Sequence, residues 1–205
     1  RARRLLIPLV AGIFILVPVQ VYTEKIDQYS SIFTFYTHMF DGIYPKGNFS
    51  WHHLWFIVYL FVIALIISPF LNILRSSRFM AIVGNLEHTF TKPFGLNLVI
   101  IPLLISQVIL RNFFEQETHD LVNDWATITY YLIFFLSGFI LLPVRSIAGA
   151  MTRHRRLYLA ETALMMVVML LVRGKVESVR AAEVAYDVAS IVMSWTCAVA
   201  GTGYG

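Results

Sequence analysis

Apolar residues along this chain are grouped in long blocks that are separated by shorter polar stretches. A helix needs roughly 20 mainly apolar residues to cross the hydrocarbon core of a bilayer, and the blocks approach that length. Such a segment must satisfy its backbone polar groups without water, which an α-helix does. The pattern predicts an all-α protein, a polytopic transmembrane helix bundle of about six spans in a single transmembrane domain, residues 1–205. The predicted spans are residues 5–22, 54–74, 94–110, 125–144, 157–172 and 184–200.

Composition favours lipid rather than water as the environment of these blocks. Hydrophobic residues make up 58% of the chain and charged residues 14%, whereas soluble domains carry roughly 25% charged residues. A transmembrane barrel needs segments of roughly ten residues that alternate between apolar and polar, and the sequence has no such series. The lipid bilayer is therefore the expected partner, and no nucleic-acid partner is expected.

The connection after the first block, residues 23–50, is polar but rich in aromatic residues. Phe33, Tyr36, Phe40 and Tyr44 follow one another at helical spacing. A helix with an apolar face and a polar face lies in the membrane interface. We therefore expect a short interfacial helix in this connection.

Lysine and arginine counts predict the orientation of the bundle, because cytoplasmic loops carry the excess of basic residues. The N-terminal edge has three, residues 75–92 have three and residues 145–156 have four, and these connections alternate along the chain. Assigning them to the cytoplasm makes both ends cytoplasmic. The connection 173–183, with three basic residues, fits this orientation least well.

A histidine and tryptophan cluster lies at the predicted outer end of the second span. Trp51, His52, His53, Trp55 and Phe56 stand where the polar connection becomes apolar. Two interpretations remain open. The cluster is an interfacial anchor, since both residue types present an apolar body and a polar tip, or it is a polar site in which a histidine accepts a proton or holds a hydroxylated ligand.

Other histidines and carboxylates offer weaker candidates. All six histidines lie in connections or at span edges, which disfavours a bis-histidine haem within the bundle. His119 and Asp124 have a spacing seen in glycerolipid acyltransferases, but a helix N-cap role for Asp124 is the favoured interpretation. Asp187 and Glu161 are either intramembrane functional acids or interfacial residues, and the second is favoured.

Metal chemistry is not expected, because the single Cys197 excludes a multi-cysteine site and no His-Glu-x-x-His motif is present. A basic cluster consists of Arg145 and residues 153–156 (Arg-His-Arg-Arg). Such a cluster faces anionic lipid, or binds a phosphorylated cytosolic cofactor such as coenzyme A.

Five segments of the chain carry a family resemblance: RRLLIPL at 3–9, VPVQVY at 17–22, GNFSWHHLWF at 47–56, DWA at 124–126 and YLIFFLSGF at 131–139. Together they resemble the type-three membrane acyltransferases, and most closely their glucan-modifying branch. The resemblance covers the chain to about residue 145 and is only general beyond it.

The resemblance implies a larger bundle of about ten helices, of which this chain is an internal fragment. It implies transfer of an acyl group from a cytosolic thioester donor, acyl-CoA, to sugars or lipids at the outer face. The family's principal catalytic histidine is expected upstream of Arg1, so the fragment alone is expected to be inactive.

These observations predict an integral O-acyltransferase of the bacterial inner membrane that acts on a carbohydrate or glucan acceptor. We expect His53, supported by His52, to serve in catalysis. We expect the substrate to be bound by Trp51, Trp55, Asp124 and Trp125. The alternative is a non-catalytic polytopic membrane protein or transporter, in which these residues are interfacial anchors.

Overall fold

A computed structural model describes residues 2–42, 47–50, 54–114, 121, 123–176 and 179–204. Within these residues the structure is helical and contains no strand. Its α-helices are α1 (Ala2–Ala11), α2 (Val17–Glu24), α3 (Ile32–Thr37), α4 (Trp55–Ile67), α5 (Leu71–Leu74), α6 (Ser77–Phe90), α7 (Ile100–Leu110), α8 (Trp125–Leu141), α9 (Arg145–Val172) and α10 (Arg180–Tyr204).

Four helical segments in the described part of the chain are long and apolar enough to cross a membrane. They are Leu6–Glu24, Trp55–Leu74, Arg145–Lys175 and Arg180–Tyr204. Two shorter apolar helical segments are Gly95–Leu110 and Trp125–Leu141. The predicted all-α class is confirmed, and the apolar helices suggest a membrane protein. The structure supports four candidate spans, so the predicted number of six stays a prediction.

The predicted connection over residues 145–156 is wrong, because these residues form the first part of the 28-residue helix α9. Ile147, Met151 and Tyr158 recur at helical spacing and are buried on one face. The arginines between them occupy other faces of the same helix. Similarly, the polar stretch 75–92 is not simply a connection, since α6 fills most of it.

The chain divides into two compact units, the first formed by Arg1–Pro69 with Thr118–Val122 and the second by Phe70–Glu117 with Asn123–Gly205. In the first unit a π-helical turn, Gly12–Leu16, joins α1 to α2. Pro18 has no backbone N–H to donate to the Phe14 carbonyl. The Tyr36 hydroxyl donates to that oxygen instead, at 3.0 Å.

The aromatic connection of the first unit is folded around a small core. Phe35 is fully buried against Val17 and Val21. Asn48 is also buried, and its amide donates to the Tyr29 hydroxyl at 2.7 Å and to the His38 carbonyl at 2.8 Å. Helix α3 contains Phe33 and Tyr36 of the predicted short helix, whereas Phe40 lies beyond its end and Tyr44 is outside the described residues. Its location in the membrane interface stays a prediction.

In the second unit a single backbone residue joins three helical segments. The backbone N–H of Leu96 donates to the Tyr158 hydroxyl of α9 at 3.3 Å, and its carbonyl accepts from the Trp195 indole of α10 at 2.9 Å. The chain reaches Leu96 through Gly95, where an added Cβ would lie 1.9 Å from the Thr89 carbonyl oxygen. Only glycine fits this turn.

Helices α9 and α10 pack side by side in opposite directions through a row of small residues. The Thr162 and Thr196 hydroxyls are 2.8 Å apart, and Gly203 approaches Met151 so closely that an added Cβ would lie 2.6 Å from its carbonyl oxygen. Buried small residues recur every seven positions on α10: Ala182, Ala189, Thr196 and Gly203. Because seven residues nearly complete two turns, they share one face.

Candidate functional site

A cleft of about 950 Å³ lies within the second unit, where α7 ends and where α8 and α10 begin. Three short stretches that are distant in sequence line it. The lining residues are Leu104, Gln107, Val108, Arg111, Asn112, Thr127, Tyr130, Tyr131, Arg180, Glu183, Val184, Asp187, Val188, Ser190, Ile191 and Ser194. This volume is typical of a small-molecule site.

Helix α10 contributes a polar stripe to the cleft. Its members are spaced three or four residues apart, so they project from one face of the helix. They are Arg180, Glu183, Asp187, Ser190 and Ser194. The stripe enters a helix that is long and apolar enough to cross a membrane, and polar groups in such a segment face a bundle interior or an aqueous cavity rather than lipid.

The opposite wall of the cleft is built by hydrogen bonds between α7 and α8. Gln107 donates from Nε2 to the Ala126 carbonyl at 3.0 Å and accepts from Arg111 Nε at 3.2 Å. Arg111 also lies 3.4 Å from the Thr127 hydroxyl through Nη2. These bonds fix the guanidinium beside the cleft and satisfy a carbonyl at the start of α8.

Aromatic rings form the third part of the wall and connect it to the core. Tyr130 packs 5.6 Å from Tyr131 and 5.0 Å from Phe134, measured between ring centroids. Phe134 packs 5.5 Å from Trp195, the residue that holds Leu96. The two cleft tyrosines are therefore supported by the same aromatic chain that anchors α10.

This combination of groups fits a polyhydroxylated ligand. The carboxylates of Glu183 and Asp187 accept hydrogen bonds from hydroxyl groups, whereas the guanidinium of Arg111 donates them. The tyrosine rings offer flat apolar surfaces that carry a polar tip. Among the described residues no group of three or more histidine, cysteine or acidic side chains is arranged to hold a metal ion.

The predicted site residues are distributed between the two units or lie outside the described residues. Trp55 begins α4 in the first unit, where its ring packs 5.6 Å from that of Tyr59. Asp124 and Trp125 belong to the second unit, where Asp124 is fully buried and Trp125 is 47% exposed. Neither of these two lines the cleft, although Thr127 and Tyr130, which follow them within the first two turns of α8, do.

Three of the predicted residues, Trp51, His52 and His53, lie outside the described residues, as does His119. Their roles stay predictions. Asp124 does occupy the N-cap position of α8, as the favoured interpretation requires, but its side chain makes no capping hydrogen bond.

Sequence reasoning singled out Asp187 and missed the rest of the cleft. A signal was present, because the residues at 180, 183, 187, 190 and 194 form a polar line at helical spacing in an otherwise apolar block. The residues contributed by α7 and α8 gave no comparable signal, since only packing brings them to the stripe.

No family model, curated protein or solved structure matches this chain.

Proposed function

We propose that the chain forms part of an integral membrane O-acyltransferase that acts on a carbohydrate or glucan at the outer face of a bacterial inner membrane. The cleft between α7, α8 and α10 binds the acceptor. The observation that carries the proposal is the lining of this cleft, which combines carboxylates, a guanidinium held in place by hydrogen bonds, hydroxyls and two tyrosine rings. These are the groups that recognise sugar hydroxyls and sugar faces.

The reaction joins an acceptor hydroxyl to the acyl group of a thioester such as acyl-CoA. The hydroxyl oxygen forms a bond to the thioester carbonyl carbon as the carbon–sulfur bond breaks. A base takes the hydroxyl proton, and the thiolate leaves and is protonated. The candidates for this base are His53 and its neighbour in sequence, His52. Trp51, Trp55, Asp124 and Trp125 stay candidates for substrate binding that are separate from the cleft.

Asp187 and Glu183 are proposed as acceptor-binding residues. They lie four residues apart on one face of α10 and line the same cleft. A hydrogen bond to a charged group is worth about 1.5–3 kcal/mol. The loss of either carboxylate therefore weakens acceptor binding while leaving the donor and the acyl-transfer chemistry in place.

Six spans belong to the same proposal. The segments Gly95–Leu110 and Trp125–Leu141 are shorter than the four candidate spans, and each rises about 26 Å. A span slightly shorter than the hydrocarbon core is accommodated by local thinning of the bilayer. With six spans the cleft opens at the outer face, and both ends of the chain are cytoplasmic.

The test measures acyl transfer to glycan by the intact protein in isolated membranes. Asp187→Asn should raise the KM for the sugar substrate about tenfold or more, because the variant loses a carboxylate that accepts hydrogen bonds from the sugar hydroxyls. His53→Ala should lower kcat instead. The matched control is Glu87→Gln, which removes the same charge from α6, outside the cleft, and should change neither parameter. If folded Asp187→Asn protein keeps the native kinetics, the cleft does not bind the sugar substrate.

A second candidate function is supported by the polar stripe itself. Acidic residues within a membrane-length helix commonly mark the path of a proton or solute, so a transporter also fits Glu183 and Asp187. Proteoliposomes loaded with a labelled oligosaccharide distinguish the two functions. Flux that Asp187→Asn abolishes, without any acyl ester being formed, supports the transporter and rejects the enzyme.

A further inference from the structure

One face of α9 changes sharply in character along its length. Positions 145, 149, 153, 156, 160, 163, 167 and 170 follow steps of three and four residues and therefore share a face. All of these residues are exposed. The first half of this outward face carries Arg145, Arg153 and Arg156, and the second half carries only alanine, valine and leucine.

The apolar half of this face is not covered by the described protein. Val167 is 47% exposed and Leu170 is 63% exposed. Within the candidate span Arg145–Lys175, only 6% of the most apolar 18-residue stretch is buried in the protein. This is the smallest share among the four candidate spans. The one carboxylate in this half of α9, Glu161, points to another side and accepts from Asn97 at 2.8 Å. The outward face is thus free of polar groups from position 160 onward.

The arginine half has the features of a phosphate-binding surface. Among the described residues, no hydrogen bond or ion pair engages Arg145, Arg153 or Arg156. By contrast, Arg155 on another face donates to the Gly203 carbonyl and lies 4.6 Å above the Tyr204 ring, so it is a packing residue. Arg153 and Arg156 are one turn apart, about 5 Å along the axis, which suits two guanidinium groups on one phosphate.

We propose that Arg153 and Arg156 bind the phosphate of an anionic phospholipid headgroup at the membrane face where α9 begins. The position of this pair along α9 supports the assignment. The change from arginine to apolar residues falls between positions 156 and 160, so a bilayer that covers the apolar half brings its headgroups to this arginine pair. The headgroup layer is about 5–8 Å thick on each side, enough for this pair, whereas Arg145 lies about 16 Å from Arg156 along the axis and extends beyond it.

The test is thermal unfolding of the purified protein in neutral detergent, titrated with phosphatidylglycerol or with phosphatidylcholine. Phosphatidylglycerol should raise the melting temperature in a saturable, salt-sensitive way, and phosphatidylcholine should not. Arg153→Gln combined with Arg156→Gln should raise the half-saturating concentration of phosphatidylglycerol roughly 25-fold, because each basic side chain at an anionic surface is worth about fivefold in affinity. Arg153→Lys with Arg156→Lys should keep most of the effect.

The matched control, Arg78→Gln with Arg173→Gln, removes the same net charge from two separate exposed sites and should respond like the native protein. If the control and the arginine-pair variant lose affinity for phosphatidylglycerol equally, the effect depends only on net charge and the proposal is overturned. Two further arms use inorganic phosphate and coenzyme A. A saturable shift with coenzyme A but not with phosphatidylglycerol would also overturn it, in favour of a soluble phosphorylated ligand at the same arginines.

Discussion

Helices α9 and α10 are neighbours of similar length, yet they use their surfaces in different ways. In α10, 33% of the apolar window is buried, against 6% in α9. Five polar residues of α10 form a stripe that lines a cleft, while the polar residues on the outward face of α9 are arginines confined to its first half. The positions of the polar residues therefore distinguish these two membrane-length helices, whereas high mean hydropathy is common to both.

The difference follows from what each polar group contacts. Serines and carboxylates within a membrane segment are costly unless they face water or a partner, and on α10 they face the cleft. Arginine on α9 lies before the apolar half begins, where its charge stays in the headgroup region. One helix therefore lines a cleft with its polar residues, and the other carries a sharp boundary between an arginine half and an apolar half.

The largest expected effect comes from removing the aromatic anchor of α10. Trp195→Ala leaves a large cavity beside Phe134 and removes the donor to the Leu96 carbonyl. The expected loss is about 3–5 kcal/mol of unfolding free energy, measured by chemical denaturation in detergent. Trp125→Ala, at a residue 47% exposed, is the comparison and should cost much less. Equal losses would mean that the burial and hydrogen bond of Trp195 do not stabilise the second unit.

A moderate effect is expected where the two helices touch. Gly203→Ala places a Cβ within 2.6 Å of the Met151 carbonyl oxygen and 2.9 Å of the Arg155 Cβ. Overpacking of this kind costs about 1–3 kcal/mol. Gly201→Ala is the matched control, since nothing lies within 4 Å of its added Cβ, and it should be neutral or slightly stabilising. The melting temperatures of the two variants decide whether close approach defines the α9–α10 contact.

The smallest effect is expected on the outward face of α9. Leu170→Ala removes a side chain that is 63% exposed, so no buried cavity forms. The free energy of unfolding should therefore change by no more than about 0.5 kcal/mol. Ile147→Ala on the same helix removes a fully buried side chain and should cost about 2–5 kcal/mol. A large loss for Leu170→Ala would show that protein, rather than lipid, covers this face.

Much of the fold could be predicted from the sequence because apolar blocks report helices directly. The error over residues 145–156 arose because the basic residues there were interpreted as a connection. Charge alone does not end a helix, and Ile147, Met151 and Tyr158 had the spacing of a buried helical face. The helical spacing of the apolar residues predicts the helix correctly, whereas the density of basic residues does not.

The candidate site was much less predictable. Five of the sixteen lining residues can be traced to the polar line on α10. Gln107, Arg111 and Thr127 join the cleft only through the packing of α7 against α8. The resemblance directed attention to Trp51, His52 and His53 instead. Contacts between residues that are far apart in sequence depend on the packing order of helices, which one sequence does not encode in any local pattern.

The hydrogen bond between Trp195 and the Leu96 carbonyl joins segments that are made at different times during biosynthesis. Its carbonyl partner, Trp195, lies 99 residues further along the chain. At translation rates of about 5–20 residues per second, this partner is made about 5–20 s later. The indole donor is therefore absent while α7, α8 and α9 are being made, and the contact between Leu96 and α10 forms after them. The packing of the second unit thus depends on a contact whose two partners are made far apart in time.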